Sequence, residues 1–275
     1  MPCLSTAGWA GEPEYIRWIK WEQRPIFYRD PDTGKLSGIY QNIIDFLHRT
    51  PPLDRYQQKQ VMVNHVRFNR VARSSDNCYL GWSTFPEQRV DSKPITIIRP
   101  WVLWSNTENQ DKLGPVSQLL SLEALIQDPD IKVGVIRDFS YSKPVLELLK
   151  KYNNNTTIFR ANTSAIEINP RTLDTGRVDV FLGNPGQMQR PRNSPAPRGS
   201  YISYGILEDN QYRLMLVSCA NDKKGKEVIR KINQLIDSMG SDFYNKILSF
   251  HDDWEGELNP TFIEQFRRLV FPVSN

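Results

Sequence analysis

Residues 121–160 read SLEALIQDPDIKVGVIRDFSYSKPVLELLKKYNNNTTIFR, and the order of segments in this stretch decides the architecture. The pattern predicts a helix over Ser121 to Gln127, a strand over Lys132 to Ile136, a helix over Pro144 to Tyr152 and a strand over Thr156 to Arg160. Pro144 falls at a first helical position, where proline is tolerated, and Ser142 stands near enough to cap that helix. The series continues with a helix near Ser164 to Leu173 and a strand over Val178 to Leu182. Strands alternating with helices of this length argue for an α/β fold with a mostly parallel sheet flanked by helices.

The same alternation extends toward the N-terminus. Tyr15 to Trp21 alternates large apolar and polar residues as a half-buried strand does, and a turn-rich stretch follows over Arg29 to Lys35. Gly38 to Arg49 places Ile39, Ile43, Phe46 and Leu47 on one helical stripe. Further elements are predicted over Gln60 to Val66 (strand), Phe68 to Arg73 (helix), Cys78 to Trp82 (strand) and Pro94 to Trp104, the last read as the strand that leaves a first lobe. Asn106 to Pro115 is polar and suits a crossover. Toward the C-terminus, a strand over Leu214 to Val217 precedes helices over Lys226 to Met239, Asp242 to Phe250 and Thr261 to Leu269, as in a chain returning to its first lobe. At 275 residues the chain matches two lobes of ordinary size. The expected division is 11–104 with 205–275 for lobe 1 and 105–204 for lobe 2.

Composition narrows the function classes. A hydrophobic share of 39%, a charged share of 24% and a mean hydropathy of -0.53 describe a water-soluble globular chain, and no apolar run approaches the ~18 residues of a membrane span. The 35 basic residues are interleaved with 31 acidic ones and form no block, so nucleic acid is not an expected partner. His48, His65 and His251 are far apart, and no phosphate-binding Gly-Lys-Ser loop, His-Glu-x-x-His or Gly-x-Ser-x-Gly occurs; neither a catalytic residue nor a metal or other cofactor is expected. Cys78 and Cys219 lie in apolar strand-like runs and read as buried thiols, with a bridge left open because pairing needs Cα atoms within ~7 Å. Residues 189–200, rich in Pro and Arg, read as a surface loop, and 1–10 as a signal-peptide remnant or a disordered start, Gly8 and Ala10 suiting a cleavage site.

Four runs resemble the type II periplasmic solute-binding proteins, in particular the branch that binds amino acids and other small polar solutes for ATP-driven importers. The first is Trp21 through Arg24-Pro25-Ile26-Phe27-Tyr28 to the helix after Gly38. The second is Gly81-Trp82-Ser83-Thr84-Phe85-Pro86-Glu87-Gln88-Arg89-Val90-Asp91-Ser92-Lys93-Pro94-Ile95. The third is Val133-Gly134-Val135-Ile136-Arg137-Asp138-Phe139-Ser140-Tyr141-Ser142, and the fourth is Thr175-Gly176-Arg177-Val178-Asp179-Val180-Phe181-Leu182-Gly183-Asn184.

The resemblance implies a two-lobed fold of that type and an exported protein, periplasmic or extracellular, that closes on an amino-acid-like solute or small carboxylate and performs no chemistry on it. It implies a ligand-binding set of Arg89, Thr84, Ser83, Trp82, Phe27, Tyr28, Ser140, Tyr141, Ser142 and Asn184. In this set Arg89 clamps a carboxylate through two parallel donors, and Phe27 and Tyr28 form an aromatic wall. Ser140 to Ser142 open a helix whose unpaired N–H groups receive an anion. Asn184 stands where the family carries an aspartate for the ligand's ammonium, which counts against a standard α-amino acid. The implied partner is a membrane permease or a sensor, the implied state a monomer. A ligand-sensing domain for a signalling partner is the alternative, with an enzyme built on the same fold ranked behind it.

Overall fold

The computed structural model describes residues 14–30, 33–74, 76–137, 139–161, 172–186, 201–255 and 258–271. The first strand, β1 (Tyr15–Lys20), is followed by the small hairpin of β2 (Tyr28–Arg29) and β3 (Leu36–Ser37), then by α1 (Ile39–Arg49). Gly38 opens that helix at φ 121°, and a Cβ there would lie 2.4 Å from the Ile26 carbonyl oxygen. Only glycine fits, and the close approach lets the Ile39 and Tyr40 amides donate to the carbonyls of Pro25 and Ile26. Next come β4 (Gln57–Met62), α2 (His65–Ala72), β5 (Cys78–Gly81), β6 (Arg89–Asp91) and β7 (Thr96–Ile98).

A second sheet begins with β8 (Val102–Asn106). The short α3 (Gln110–Leu113), α4 (Leu122–Gln127), β9 (Val133–Ile136), α5 (Lys143–Lys151), β10 (Ile158–Ala161), β11 (Val180–Gly183) and β12 (Tyr201–Gly205) follow. Then β13 (Arg213–Ala220) returns to the first sheet, and α6 (Lys223–Met239), α7 (Ser241–Glu255) and α8 (Pro260–Val270) finish the chain on the first lobe.

The two sheets share one design. In the first, ordered β4-β1-β5-β13-β6, strands β4, β1 and β5 run parallel while β13 runs antiparallel to β5, β6 and β7. In the second, ordered β10-β9-β11-β8-β12, strands β10, β9 and β11 are parallel and β8 is antiparallel to both neighbours. Each lobe thus has a parallel half built from strand–helix units and an antiparallel half built from strands next to the crossings. Each encloses its own apolar core, one around Trp18, Ile43, Val217 and Phe243, the other around Leu103, Val133, Val180 and Tyr204. Trp82 packs against both.

The crossings fall slightly away from where the sequence suggested. Pro94 to Trp104 is two strands, β7 in the first sheet and β8 in the second, parted at Pro100, which has no N–H to offer a ladder. Residues 102–104 therefore lie in the second sheet, and the chain leaves the first lobe at 99–101. It returns after β12, over residues 206–212. Cys78 and Cys219 stand opposite each other on β5 and β13 with Cα atoms 4.1 Å apart and form a disulfide. The readings placed on 1–10, on Ser164 to Arg171, on Asp138 and on 189–200 lie outside the described residues.

Candidate functional site

In sheets of this design the carboxyl ends of the parallel strands form the crevice where ligands sit. Here the chain leaving β1 supplies Trp21 and Gln23, the chain leaving β5 supplies Trp82 and Thr84, and the chain leaving β9 supplies Phe139 and Ser140. Together with Phe68 from α2 and Tyr79 and Gly81 from β5, they line a small cavity of about 20 Å³ between the lobes. That is room for little more than a water as the lobes stand, so a larger guest enters only as they part.

Five of the lining side chains are aromatic, and several are held edge to face by neighbouring rings. Phe68 lies 4.7 Å from Trp21 and 5.2 Å from Tyr79 between ring centroids, and on the opposite lobe Phe139 lies 5.3 Å from Trp101 and 4.8 Å from Tyr141. The polar groups are few and mostly placed by neighbours. The Tyr79 hydroxyl and Thr84 Oγ1 are 2.8 Å apart. Gln23 is fixed by reciprocal main-chain bonds with Phe27, both 2.9 Å, and its Oε1 accepts the Trp21 indole N–H at 3.0 Å. An indole N–H can only donate, so the Gln23 oxygen must face it. The amide nitrogen, Nε2, is left buried without a hydrogen-bond partner among the described residues.

Behind this wall lie charges that do not line it. Lys20, fully buried at the end of β1, donates to Gln41 Oε1 at 2.7 Å, and Gln41 donates in turn to Asp45. Burial pulls the Lys20 ammonium down to about 8, against the attraction of Asp45. Arg213 is ion-paired with Asp209 at 3.3 Å and lies 5.0 Å from the Trp101 ring centroid and 6.0 Å from that of Trp82. Asp209 also accepts the Trp101 main-chain N–H at 2.8 Å, so this pair ties the two crossing segments together.

No family model matches the chain, and no curated protein sequence does. Solved structures do. The putative L-cystine ABC transporter protein of Listeria monocytogenes superposes with a TM-score of 0.64 at 14% identity, covering 89% of this chain and 97% of that one. A Streptococcus mutans structure described for glutathione import through GshT and the cystine importer TcyBC gives 0.63 at 12% identity, over 88% and 95%. The periplasmic sensor of the Borrelia burgdorferi hybrid histidine kinase Hk1 gives 0.51 at 13%, over 86% and 98%. The chain has the type II periplasmic binding protein fold.

Within that fold, three residues of the sequence-derived set, Trp82, Thr84 and Ser140, meet at the interlobe cavity. The others do not line it. Arg89, read as the carboxylate clamp, is 4% exposed and turned into the first lobe. Its Nη1 donates to the Ala72 carbonyl and Asn77 Oδ1, its Nη2 to the carbonyls of Asn77 and Ser218, and its Nε to Ser218 Oγ. These bonds employ the whole guanidinium fork, and Tyr79 covers it at 4.8 Å. Arg89 therefore pins the α2–β5 loop to β13; it is a brace, and the clamp assignment is corrected accordingly. Phe27 is core, packed between Trp21 and Tyr40. Tyr28 stacks on Arg24 at 4.1 Å, and Ser83 is exposed.

On the second lobe, Tyr141 is a pillar: its hydroxyl accepts the Ile136 N–H at 2.9 Å, and burial raises its ionisation well above the usual phenol range. Ser142 precedes α5 but makes no capping bond to it. Asn184 Oδ1 accepts the Gly186 N–H at 3.0 Å, which shapes a tight turn where Gly186 meets Pro25 of the other lobe. A Cβ on Gly186 would come within 2.5 Å of that proline ring, so glycine permits the lobes to touch. Sequence reasoning missed Phe68 and Tyr79 as wall residues because each sits inside a run whose apolar pattern reads as packing, and missed Gln23 because it lies between the charged Glu22 and Arg24 in what reads as a polar loop. No helix among the described residues is long and apolar enough to cross a membrane, and no metal-holding cluster occurs among them.

Proposed function

We propose that this chain is a solute-binding protein that captures a small solute between its lobes and delivers it to an ATP-driven importer without altering it. The observation that carries this reading is the cavity itself, which takes its walls from both lobes and whose described lining offers amide and hydroxyl groups but no general base. Closure about the crossing segments 99–101 and 206–212 buries the solute and creates the face a permease recognises. The importer proteins of similar fold, described for cystine and for glutathione import, support that role. The buried Cys78–Cys219 bridge fits an oxidising compartment outside the cytosol. The expectation of a carboxylate or amino-acid guest rested on Arg89, which does not line this cavity, and on Asn184, which lines a separate cleft between the lobes with Pro25, Arg99 and Gly186.

A second reading, a ligand-sensing module for a signalling partner, is favoured by one observation, the likeness to the Hk1 sensor. Binding is common to both readings. The test is a thermal-shift screen of small solutes followed by small-angle scattering. A true ligand at a hundredfold excess over its Kd adds about 2.7 kcal/mol of stability and contracts the particle. A library of polar and aromatic solutes that yields no stabilisation and no contraction overturns the proposal.

A further inference from the structure

The cavity's chemistry points to a class of guest. Its described lining contains five rings, Trp21, Phe68, Tyr79, Trp82 and Phe139, and no residue with a formal charge. A zwitterion sealed there would leave a carboxylate without a cation and an ammonium without a carboxylate, each an expensive burial. The guanidinium behind Tyr79 cannot help, since the donors of Arg89 are bonded inside the lobe. Arg213 does not line the cavity; its Nη1 pairs with Asp209 and its Nη2 donates to the Arg99 carbonyl, while its Nε is buried with no partner among the described residues.

A cage of rings also suggests a quaternary ammonium guest, yet two of the five rings already carry a guanidinium, Arg89 at 4.8 Å from Tyr79 and Arg213 at 6.0 Å from Trp82. These cations place positive potential behind the wall and oppose a third. What the wall does offer is flat apolar surface and, on its residue Gln23, a buried amide nitrogen with no hydrogen-bond partner among the described residues, the amide oxygen being taken by the Trp21 indole.

We infer that the site takes an uncharged aromatic or heteroaromatic solute bearing a hydrogen-bond acceptor, seated between the rings with that acceptor on Gln23 Nε2. This rests on the reading of the cavity as a solute site. A neutral ring loses little on desolvation, gains edge and face contacts from both lobes, and satisfies the buried amide, which otherwise costs stability.

The experiment uses probes that share one ring and differ in charge: benzamide, benzoate, phenylalanine and phenyltrimethylammonium, with toluene as the ring lacking an acceptor. Binding to the full chain is measured by ligand-observed NMR titration. Benzamide is expected to bind most tightly, with toluene weaker and the charged probes weakest. Gln23→Leu should weaken benzamide by about 3- to 10-fold, the worth of one hydrogen bond, while toluene, with no acceptor to lose and more apolar wall to contact, should not weaken. Gln23→Glu keeps the acceptor for Trp21 while replacing the donor, so it should also weaken benzamide and provides a check if the leucine variant folds poorly. Tighter binding of benzoate, phenylalanine or phenyltrimethylammonium than of benzamide overturns the inference. So does benzamide binding that neither Gln23 variant affects. If the aromatic probes fail while charged amino acids bind and contract the particle, the solute-binding role stands and only the guest class falls. If nothing binds, both fall.

Discussion

The first lobe supplies seven of the nine residues lining the cavity, whereas the second supplies only Phe139 and Ser140, from the loop ahead of α5. The two walls are also supported differently. Behind the first stand bonds formed before any guest arrives: Gln23 to Trp21 and Phe27, Tyr79 to Thr84, and Arg89 spread across Ala72, Asn77 and Ser218. The second rests on the mutually edge-on and tilted rings of Trp101, Phe139 and Tyr141, with the Tyr141 hydroxyl anchoring them to the end of β9. A wall that is already ordered loses little freedom on binding and can hold the specificity of the site. A short aromatic loop opposite it is suited to covering the guest.

That contrast can be broken or sharpened in several ways. The largest effect should come from Arg89→Leu, which strands the carbonyls of Ala72, Asn77 and Ser218 inside the first lobe. A loss of about 3–5 kcal/mol is expected, measured by urea denaturation of the unliganded protein. A ligand clamp would behave oppositely, with its removal leaving the unliganded stability untouched, and that outcome would return Arg89 to the site. Replacing Cys78 and Cys219 together by alanine removes the staple between β5 and β13 and should cost about 2–4 kcal/mol. An unchanged midpoint under oxidising conditions would mean that the first wall does not depend on it.

On the second lobe, Tyr141→Phe leaves the buried Ile136 N–H without its acceptor. The expected cost is about 1–3 kcal/mol, accompanied by faster amide exchange at Ile136 and Phe139. Slower or unaltered exchange would show that the rings alone hold the cap. The most gradual effect concerns Lys20, whose ammonium is pulled down to about 8 by burial, below the ordinary 10.5. Between those values the unfolded chain binds more protons than the folded one, so stability should rise from about pH 8 until tyrosines begin to ionise. The slope cannot exceed about 1.4 kcal/mol per pH unit for one group. Lys20→Met should flatten it, and an equal slope in the variant would assign the titration to another residue.

The alternation of strand and helix from Lys132 to Leu182 was legible because each element there carries its own period, and the observed β9, α5, β10 and β11 lie within a residue or two of those runs. Trp82, Thr84 and Ser140 were legible as site residues through the resemblance of their runs to the solute-binding proteins, and the structure places them within a few residues of strand ends, where such a sheet opens its crevice. Gln23, Phe68 and Tyr79 were not. Whether a side chain faces a core or a cavity depends on what stands opposite it, and the opposing residue is about 60 to 120 positions away along the chain.

Local pattern alone thus determined the class of fold, the two-lobed plan and the strand ends that converge on the cleft, since hydrophobic periodicity and helix caps act over a few residues. The direction of Arg89, the pairing of Cys78 with Cys219 and the absence of formal charge from the described cavity wall were decided only by tertiary structure. A guanidinium follows whichever acceptors reach it first. Here these came from Ala72, Asn77 and the returning strand at Ser218, a convergence that no local stretch of the chain contains.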